Sequence, residues 1–284
     1  MLALVSHRDN ETNVRLAAAA PPGVDVRLVN PRNVLGLLGP DDAALSRLDV
    51  LPTLDGIEPG IWEIGRLEAD GVPVLNKLRS LLTTHDKLQT SRILKTAGLP
   101  HPHTVHLVTA RERVTLEPPV VVKPRFGSWG RDVVLCANRA ELAATLEELS
   151  SRSWFRRQGV LVQELVPPLG HDLRVVVAGG EIVGAVRRRA ADGEWRTNVA
   201  LGARREPTHP PPAACAVAVA AAAAIGADLV GVDLLPADVG TWVVLEVNGA
   251  VDFNSTYTLD EDAHHAARVA LTSRAPSVRV EPAA

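Results

Sequence analysis

The chain has 284 residues, of which 46% are hydrophobic and 22% are charged, and its formal net charge is -3. This balance is ordinary for a globular protein of two or three packed units, and it gives no reason to expect nucleic acid or a membrane as a partner. Two cysteines without metal-type or redox-type spacing, and an N-terminus without the basic start of a signal peptide, predict a reduced cytoplasmic protein.

Residues 1–76 predict an N-terminal domain with an open α/β pattern. Short apolar runs alternate there with helix-like or turn-like stretches. The runs are MLALVS, VDVRLV, LDVLPTL and VPVLN. Because no glycine fingerprint of the dinucleotide type accompanies them, we do not expect an NAD-binding domain.

Residues 77–165 predict a second unit that mixes helices and strands. A helix over the stretch THDKLQTSRILKTAG ends at Gly98 and Pro100, and Asp86 lies near its positive end. Three strands and one further helix follow. These are the strands PPVVVKP, VVLC and GVLVQELV and the helix RAELAATLEELS.

Residues 166–284 predict a third unit that is built on a hairpin and two later strands. The stretch DLRVVVAGGEIVGAVRRRA is typical of a hairpin that turns at Gly179 and Gly180. The alanine-rich stretch 213–227 is shorter than the roughly 20 residues of a membrane helix, so we expect a packed helix. The strands LVGVDLLPAD and TWVVLEVN come next, and a Pro/Ala-rich tail begins at about Arg274.

The loop FGSWGRD lies between two predicted strands and follows Lys123, which ends a run of valines. Its glycines would let backbone N–H groups approach an anion closely, and a lysine is a compact charge for a phosphate. An ordinary hairpin loop is the alternative interpretation. Lys87, in the preceding helix, carries little weight alone, because a helical lysine is usually solvated.

The strand GVLVQELV runs into two prolines, which cannot continue a hydrogen-bond ladder. Backbone groups near Glu164 and Leu165 would then be free to pair with a planar ligand such as adenine. A strand that simply reaches the surface explains the pattern equally well.

Asp172 and Arg174 alternate with apolar residues in GHDLRVVV, so their side chains face the same side of a strand. The return arm of the hairpin ends in three arginines. One of these can converge with Arg174 across the paired strands, and convergent guanidinium groups suit phosphoryl or carboxylate ligands. A solvated basic face is the alternative.

Glu246 and Asn248 share one face of an apolar strand, because side chains two residues apart in a strand point the same way. Asp233 lies in the preceding apolar strand, and neither strand contains a lysine or arginine to pair with these groups. If the two strands pair, three oxygen-bearing side chains gather on one face. Such hard ligands suit Mg²⁺, and a salt-bridged pair is the alternative.

Seven segments follow one another in the order HDK, VVVKPRFGSWGRD, VLVQEL, HDLRVVV, VRRRAADGEWRTN, GVDLL and LEVNG. Together they resemble the ATP-grasp superfamily, and more closely its RimK-like branch of amino-acid ligases. That branch includes the ribosomal-protein glutamate ligase and the carrier-protein ligases of lysine and arginine biosynthesis. The resemblance covers roughly residues 76–257. It implies an α/β (α+β) ATP-grasp fold, in which a pre-ATP-grasp domain precedes two lobes that clasp ATP.

The resemblance implies that the lobe at 77–165 binds the nucleotide, with one contact from the next lobe. Lys87 and Lys123 would hold the α- and β-phosphates of ATP. The triphosphate would be covered by Phe126, Gly127, Ser128, Trp129 and Gly130. Adenine would meet Gln163, Glu164 and Leu165, and the ribose would meet Asp172.

The resemblance implies that the lobe at 166–284 carries the metal ligands and catalytic residues. Asp233, Glu246 and Asn248 would bind two Mg²⁺ ions, for which Mn²⁺ would substitute. The phosphoryl group in transfer and the tetrahedral intermediate would be stabilised by Arg174 and Arg188, with Asn198 beside them.

The implied activity is ATP-dependent formation of an amide bond through an acylphosphate, with ADP and phosphate as products. Glutamate or a related amino acid would be joined to an acceptor, which is a small molecule, a peptide or an acidic carrier protein. The resemblance also implies a homo-oligomer, either a dimer or a tetramer. A module that binds ATP without catalysis and an ATP-dependent kinase on the same fold are the alternatives.

The chain departs from the family pattern near the expected substrate site. After the asparagine that Asn198 matches, RimK-like ligases tend to carry an arginine and paired glycines, whereas this chain has Leu201 and Ala203. This difference concerns the substrate more than the reaction. Whether Asp252 and Phe253 shape the substrate pocket or begin the next turn stays open.

Overall fold

The computed structural model describes residues 1–19, 24–238 and 240–275. These residues form both strands and α-helices. The strands are β1 (Leu2–Val5), β2 (Val26–Val29), β3 (Ala43–Ser46), β4 (Val74–Leu75), β5 (Thr104–Leu107), β6 (Val120–Pro124), β7 (Val134–Cys136), β8 (Val160–Glu164), β9 (His171–Ala178), β10 (Glu181–Arg189), β11 (Arg204–Pro207), β12 (Leu229–Pro236) and β13 (Trp242–Asn248). The helices are α1 (Glu11–Ala18), α2 (Ile61–Ala69), α3 (Leu78–His85), α4 (Lys87–Thr96), α5 (Arg139–Ser150), α6 (Ser153–Gln158), α7 (Pro212–Ile225) and α8 (Ala263–Arg274).

The N-terminal strands form a parallel sheet in the order β2-β1-β3-β4. Such a sheet needs connections that cross its faces, and α1 and α2 lie in two of these connections. The run LDVLPTL, which we expected to be a strand, supplies only the isolated bridge between Val50 and Ile57. Strand β3, directly upstream, takes its place. Pro52 cannot donate to a ladder, which explains why pairing does not extend through that run.

The central strands form an antiparallel sheet in the order β5-β8-β6-β7. Leu142, Leu146 and Leu149 recur at helical spacing on α5 and pack in one core with Val120 and Val122 of β6. The tight pairing of β6 with β7 forces the intervening loop, residues 125–133, to project beyond the end of the sheet.

The C-terminal strands form an antiparallel sheet in the order β11-β10-β9-β12-β13. On β9 and β12, Leu173, Val175, Val177, Val230, Val232 and Leu234 form an apolar face that packs on the alanine-rich helix α7. On the other face of β9, Val176 and Ala178 pack in one core with residues of α8 and β1. Asp172 and Arg174 continue this same face beyond that core, because side chains alternate along a strand. The polar half of the face is therefore left for a site.

Several predictions of secondary structure are confirmed, including the hairpin at Gly179 and Gly180 and the alanine-rich helix. The helix expected to start between Thr84 and Lys87 is confirmed as α4, whose N-cap Asp86 accepts from the Leu88 and Gln89 N–H groups, and a separate helix, α3, ends just before it. Within the described ranges, no helix is long and apolar enough to cross a membrane.

The three sheets span residues 2–75, 104–164 and 171–248. The domain boundaries after residues 76 and 165 each fall between two of these sheets and stay a prediction. The Pro/Ala-rich tail lies almost wholly outside the described residues.

Candidate active site

A cavity lies between the central sheet and the C-terminal sheet, and we call it the first cavity. Thirteen of the candidate residues line it. They are Lys87, Lys123, Gly127, Ser128, Trp129, Gly130, Gln163, Glu164, Leu165, Arg188, Asn198, Asp233 and Glu246. Phe126 is not among the lining residues; its ring lies 5.5 Å from the guanidinium carbon of Arg125.

Two lysines bring positive charge to one part of the first cavity. The Lys123 ammonium donates to the Gln163 side-chain oxygen over 2.6 Å, and the residue is only 6% exposed. The Lys87 ammonium lies 2.8 Å from the Glu246 carboxylate and also donates to the Gly127 carbonyl. Burial lowers the pKa of Lys123 to about 8; the nearby Lys87 charge lowers it further and Glu246 opposes the change. An anion placed here would stabilise both ammonium groups.

The glycine loop follows Lys123 and has backbone angles that favour glycine. Trp129 and Gly130 have φ angles of 60° and 71°. A Cβ atom at Gly130 would lie 2.8 Å from the Asn198 side-chain oxygen, so glycine is required for this close approach. The Trp129 ring has the guanidinium carbons of Arg8 and Arg131 at 6.0 and 5.0 Å. The buried Ser128 hydroxyl has no hydrogen-bond partner among the described residues.

The end of β8 differs in one detail from the sequence prediction. The Glu164 N–H donates to the His103 carbonyl over 2.9 Å, so this backbone donor is not free for a ligand. Sequence reasoning missed this partner because β5, which follows His103, is distant along the chain. Leu165 lies just beyond the last residue of β8 and lines the first cavity.

Arg174 and Arg188 converge, as the hairpin pattern predicted, and both contact Asp233. Arg174 donates to the two Asp233 oxygens over 2.6 and 2.7 Å, and an Arg188 nitrogen lies 2.9 Å from one of them. Burial alone would raise the pKa of Asp233, but the two guanidinium charges outweigh it and hold that pKa below its usual value.

Asp172 has contacts that do not fit the implied ribose role. Its side chain is fully buried, and its two oxygens accept from the Arg188 guanidinium, with one distance of 2.8 Å. It also accepts from the Thr197 hydroxyl over 2.6 Å. Because Asp172 faces Arg188 rather than the first cavity, its carboxylate is suited to holding that arginine in place.

The three predicted metal ligands lie on one face of the paired strands β12 and β13. Asp233 is the cross-strand partner of Glu246, and Asn248 lies two residues further along β13. With its amide nitrogen toward Glu246 and its oxygen toward Arg174, Asn248 has contacts of 3.3 and 3.2 Å. Two carboxylates and one amide oxygen fit Mg²⁺, which typically takes one or two carboxylates and shares substrate phosphates.

Asp233 and Glu246 have cationic partners from outside strands β12 and β13, as the alternative of a salt-bridged pair allowed. Arg174 and Arg188 reach Asp233 from β9 and β10, and Lys87 reaches Glu246 from α4. The two strands contain no basic residue, but adjacent strands and helices do. Among the described residues, no group of three or more His, Cys, Asp or Glu side chains is arranged to hold a metal ion, so the predicted site depends on the amide of Asn248.

A second cavity adjoins the first on the side of the N-terminal sheet. Both cavities are lined by Ser128, Trp129, Arg188, Asn198 and Glu246. The second cavity is also lined by Arg174, Asn248, Arg205, Asp49 and Asp252. Asp49 was missed as a site residue, because no local pattern distinguishes it from a surface charge.

The arrangement can be compared with known proteins. The domain family described as "RimK-like ATP-grasp domain" matches residues 84–267. A "Probable alpha-L-glutamate ligase" of Thioalkalivibrio sulfidiphilus is 34% identical over 215 residues, which are 74% of this chain and 68% of that protein. The "Alpha-aminoadipate--LysW ligase LysX" of Saccharolobus solfataricus is 31% identical over 67% of this chain and 70% of its own length.

The fold is also similar to that of solved structures. The RimK domain ATP-grasp protein of Sphaerobacter thermophilus aligns with a TM-score of 0.68 and 22% identity, covering 95% of this chain and 99% of that one. The chain spans 68%, 61% and 64% of the lengths of three curated glutamate ligases that it matches. The matched domain covers more than half of the chain. It includes α4, β6, β9, β10, β12 and β13, which contribute polar residues to the two cavities. The chain belongs to the RimK-like ATP-grasp family.

Proposed function

We propose that this protein is an ATP-dependent ligase that joins a carboxylate to an amine, adding glutamate or a related amino acid to an acceptor. One observation carries the proposal. Lys87, Arg174 and Arg188 contact a pair of facing carboxylates, Asp233 and Glu246, where the two cavities adjoin, and the Lys123 charge lies nearby. Such a concentration of fixed charge suits a transfer between a polyphosphate on one side and a second substrate on the other.

ATP would occupy the first cavity. Lys87 and Lys123 would pair with its phosphates, and the loop 126–130 would cover the triphosphate, where the Ser128 hydroxyl offers an unused donor. Gln163, Glu164 and Leu165 would border the adenine. Asp172 would not contact the substrates, and it would hold Arg188 in position.

Asp233, Glu246 and Asn248 would hold the magnesium ions. When bound, Mg²⁺ neutralises phosphate charge and orients the γ-phosphate for transfer. The donor set supports this proposal, since all three side chains offer oxygen ligands on one face. Arg174, Arg188 and Lys87 neutralise the same carboxylates in the structure and lie beside the place of phosphoryl transfer.

The reaction would proceed in two steps. A substrate carboxylate attacks the γ-phosphorus of ATP, the bond to ADP breaks, and an acylphosphate forms. The neutral amine of the second substrate then attacks the acyl carbon, phosphate leaves, and the amine nitrogen loses a proton to give the amide. Both steps gather negative charge on oxygen, which Arg174, Arg188 and Asn198 would stabilise from fixed positions.

The test is a matrix of acids and amines in which ADP, phosphate and product mass are measured. A ligase releases ADP only when both an acid and an amine are present, and the product mass equals their sum less one water. ADP release that depends on a phosphoryl acceptor alone would indicate a kinase. Nucleotide binding without either dependence would indicate a binding module. The acceptor, the oligomeric state and the cytoplasmic location stay predictions until measured.

The affinity for ATP should fall as the pH rises through about 8. ATP favours the protonated form of Lys123, whose pKa is lowered to about 8 by burial, so binding weakens once that proton is lost. We expect the dissociation constant to rise by up to about tenfold per pH unit above this point. Calorimetric titration between pH 7 and pH 9.5 measures this dissociation constant.

The matched variants are Lys123→Arg and Lys95→Arg. An arginine at position 123 stays charged over this range, so the pH dependence should disappear. Lys95 is exposed on α4, and its replacement should leave the dependence as it was. A steep dependence that persists in Lys123→Arg would assign the titration to another group.

A further inference from the structure

The second cavity has one end with an excess of carboxylates. Asp49 accepts from Arg8 over 3.0 Å, and Glu58 lies 2.9 Å from the same guanidinium. The buried Arg47 guanidinium lies 3.5 Å from one Asp252 oxygen. It also donates to the Asn13 side-chain oxygen and to the Val251 carbonyl. Two guanidinium groups therefore face three carboxylates at this end, which leaves one net negative charge.

Asp252 is the carboxylate best placed to receive a ligand. Its Oδ1 atom accepts from the Asn10 amide over 2.8 Å and faces Arg47, whereas its Oδ2 atom takes part in neither contact. The side chain is 55% exposed, and it lines the second cavity together with Asp49. A cation at Oδ2 would balance the net charge of this end.

The pKa of Asp49 indicates that its pair with Arg8 does not offset burial and the neighbouring carboxylates. Burial raises this pKa above its usual value, and the carboxylates of Glu58 and Asp252 raise it further, against the opposing Val50 N–H and Arg8. A positive group bound between Asp49 and Asp252 would relieve this repulsion.

Arg205 gives the second cavity a positive group on the edge strand β11. It is the cross-strand partner of Arg188, so both side chains lie on the face that carries the site. Arg204 pairs with Arg189 and lies on the opposite face. Within residues 1–19, 24–238 and 240–275, no carboxylate lies within 4.0 Å of the Arg205 guanidinium in an ion pair.

We propose that the second cavity binds the amino-acid substrate of the ligase as a zwitterion, with its ammonium group at Asp252 and Asp49 and a carboxylate at Arg205. This assignment rests on the proposed function and names the residues that would recognise its amino-acid substrate. The cavity adjoins Arg188 and Glu246, so an amino acid held there lies next to the place where the acylphosphate would form. Recognition of both charges selects α-amino acids over simple amines or acids.

The test measures binding of L-glutamate and L-2-aminoadipate by calorimetry, with Mg²⁺ and a non-hydrolysable ATP analogue present. Glutarate and adipate, which lack the amino groups of L-glutamate and L-2-aminoadipate respectively, are the matched ligands. We expect the wild-type protein to bind one of the amino acids at least about tenfold more tightly than its desamino analogue, as one lost ion pair implies. Asp252→Asn should reduce that preference to less than about threefold.

Arg205→Gln should weaken binding of the amino acid by about tenfold, whereas Arg204→Gln should leave it unchanged. Asp49→Asn repeats the test at the second carboxylate, and circular dichroism confirms that each variant folds. If wild-type protein binds neither amino acid, or if Asp252→Asn and Arg205→Gln bind as Arg204→Gln does, the assignment is wrong. Ligase activity that persists in these variants with unchanged KM values would overturn it while leaving the proposed function intact.

Discussion

Replacing Glu246 with glutamine is expected to lower kcat for ADP release by at least about a thousandfold, because Mg²⁺ would lose a carboxylate where charge develops. The substitution keeps the shape of the side chain and one acceptor oxygen, and it replaces the other oxygen by an NH2 group. The Glu246 carboxylate faces Asp233 across the strands and Lys87 from α4. The loss of activity would therefore report on the negative charge and the ligating oxygen that are removed.

The fold should tolerate this change. Lys87 retains its bond to the Gly127 carbonyl, and the side chains of the Lys87–Glu246 pair are 14% and 20% exposed. We expect the free energy of unfolding to fall by about 1 kcal/mol. Chemical denaturation measures this, and titration with Mg²⁺ by calorimetry in the presence of ATP measures the metal affinity.

Glu181→Gln is the matched control, since Glu181 is exposed at the start of β10, beside the hairpin turn. It should keep wild-type kcat and wild-type affinity for Mg²⁺. Retained activity in Glu246→Gln would show that Glu246 is not a metal ligand. Its pair with Lys87 would then be a structural ion pair.

Much of the scaffold was predictable from local patterns. Valine runs identified β6 and β9, alternation placed Asp172 and Arg174 on one face, and paired glycines identified the turn between β9 and β10. These features depend on residues close in the chain. The convergence of Arg174 with an arginine of the return arm was also predictable, since a hairpin fixes its own register.

Contacts between distant segments were not predictable in this way. The His103 carbonyl meets the Glu164 N–H, and Lys87 meets Glu246, across gaps that no local pattern spans. Asp49 and Asp252 lie together only because the N-terminal unit packs beside the loop after β13. The ion pairs of Asp233 with Arg174 and Arg188 have the same origin, because a sheet supplies partners from neighbouring strands as well as from the strand itself.

Asp172→Ala is expected to lower the free energy of unfolding by about 3–5 kcal/mol. The carboxylate and Arg188 are both buried, with side chains 0% and 4% exposed, and removal of one partner leaves a buried guanidinium without its main acceptor. Asp70→Ala removes a similar pair with Arg66 at the surface, where both side chains are about half exposed, and should cost less than about 1 kcal/mol. Urea denaturation of the two variants measures this difference.

The kinetic effect of Asp172→Ala distinguishes positioning of Arg188 from contact with the ribose. A ribose ligand would change the KM for ATP, whereas a residue that holds Arg188 should lower kcat by about a hundredfold with that KM within about twofold. Thr197→Val removes a single hydrogen bond to the same carboxylate and should cost about 1 kcal/mol of stability with a smaller change in kcat. A large rise in the KM for ATP with unchanged kcat would indicate that Asp172 contacts the ribose. Such a contact would require the carboxylate to turn away from Arg188 when ATP binds.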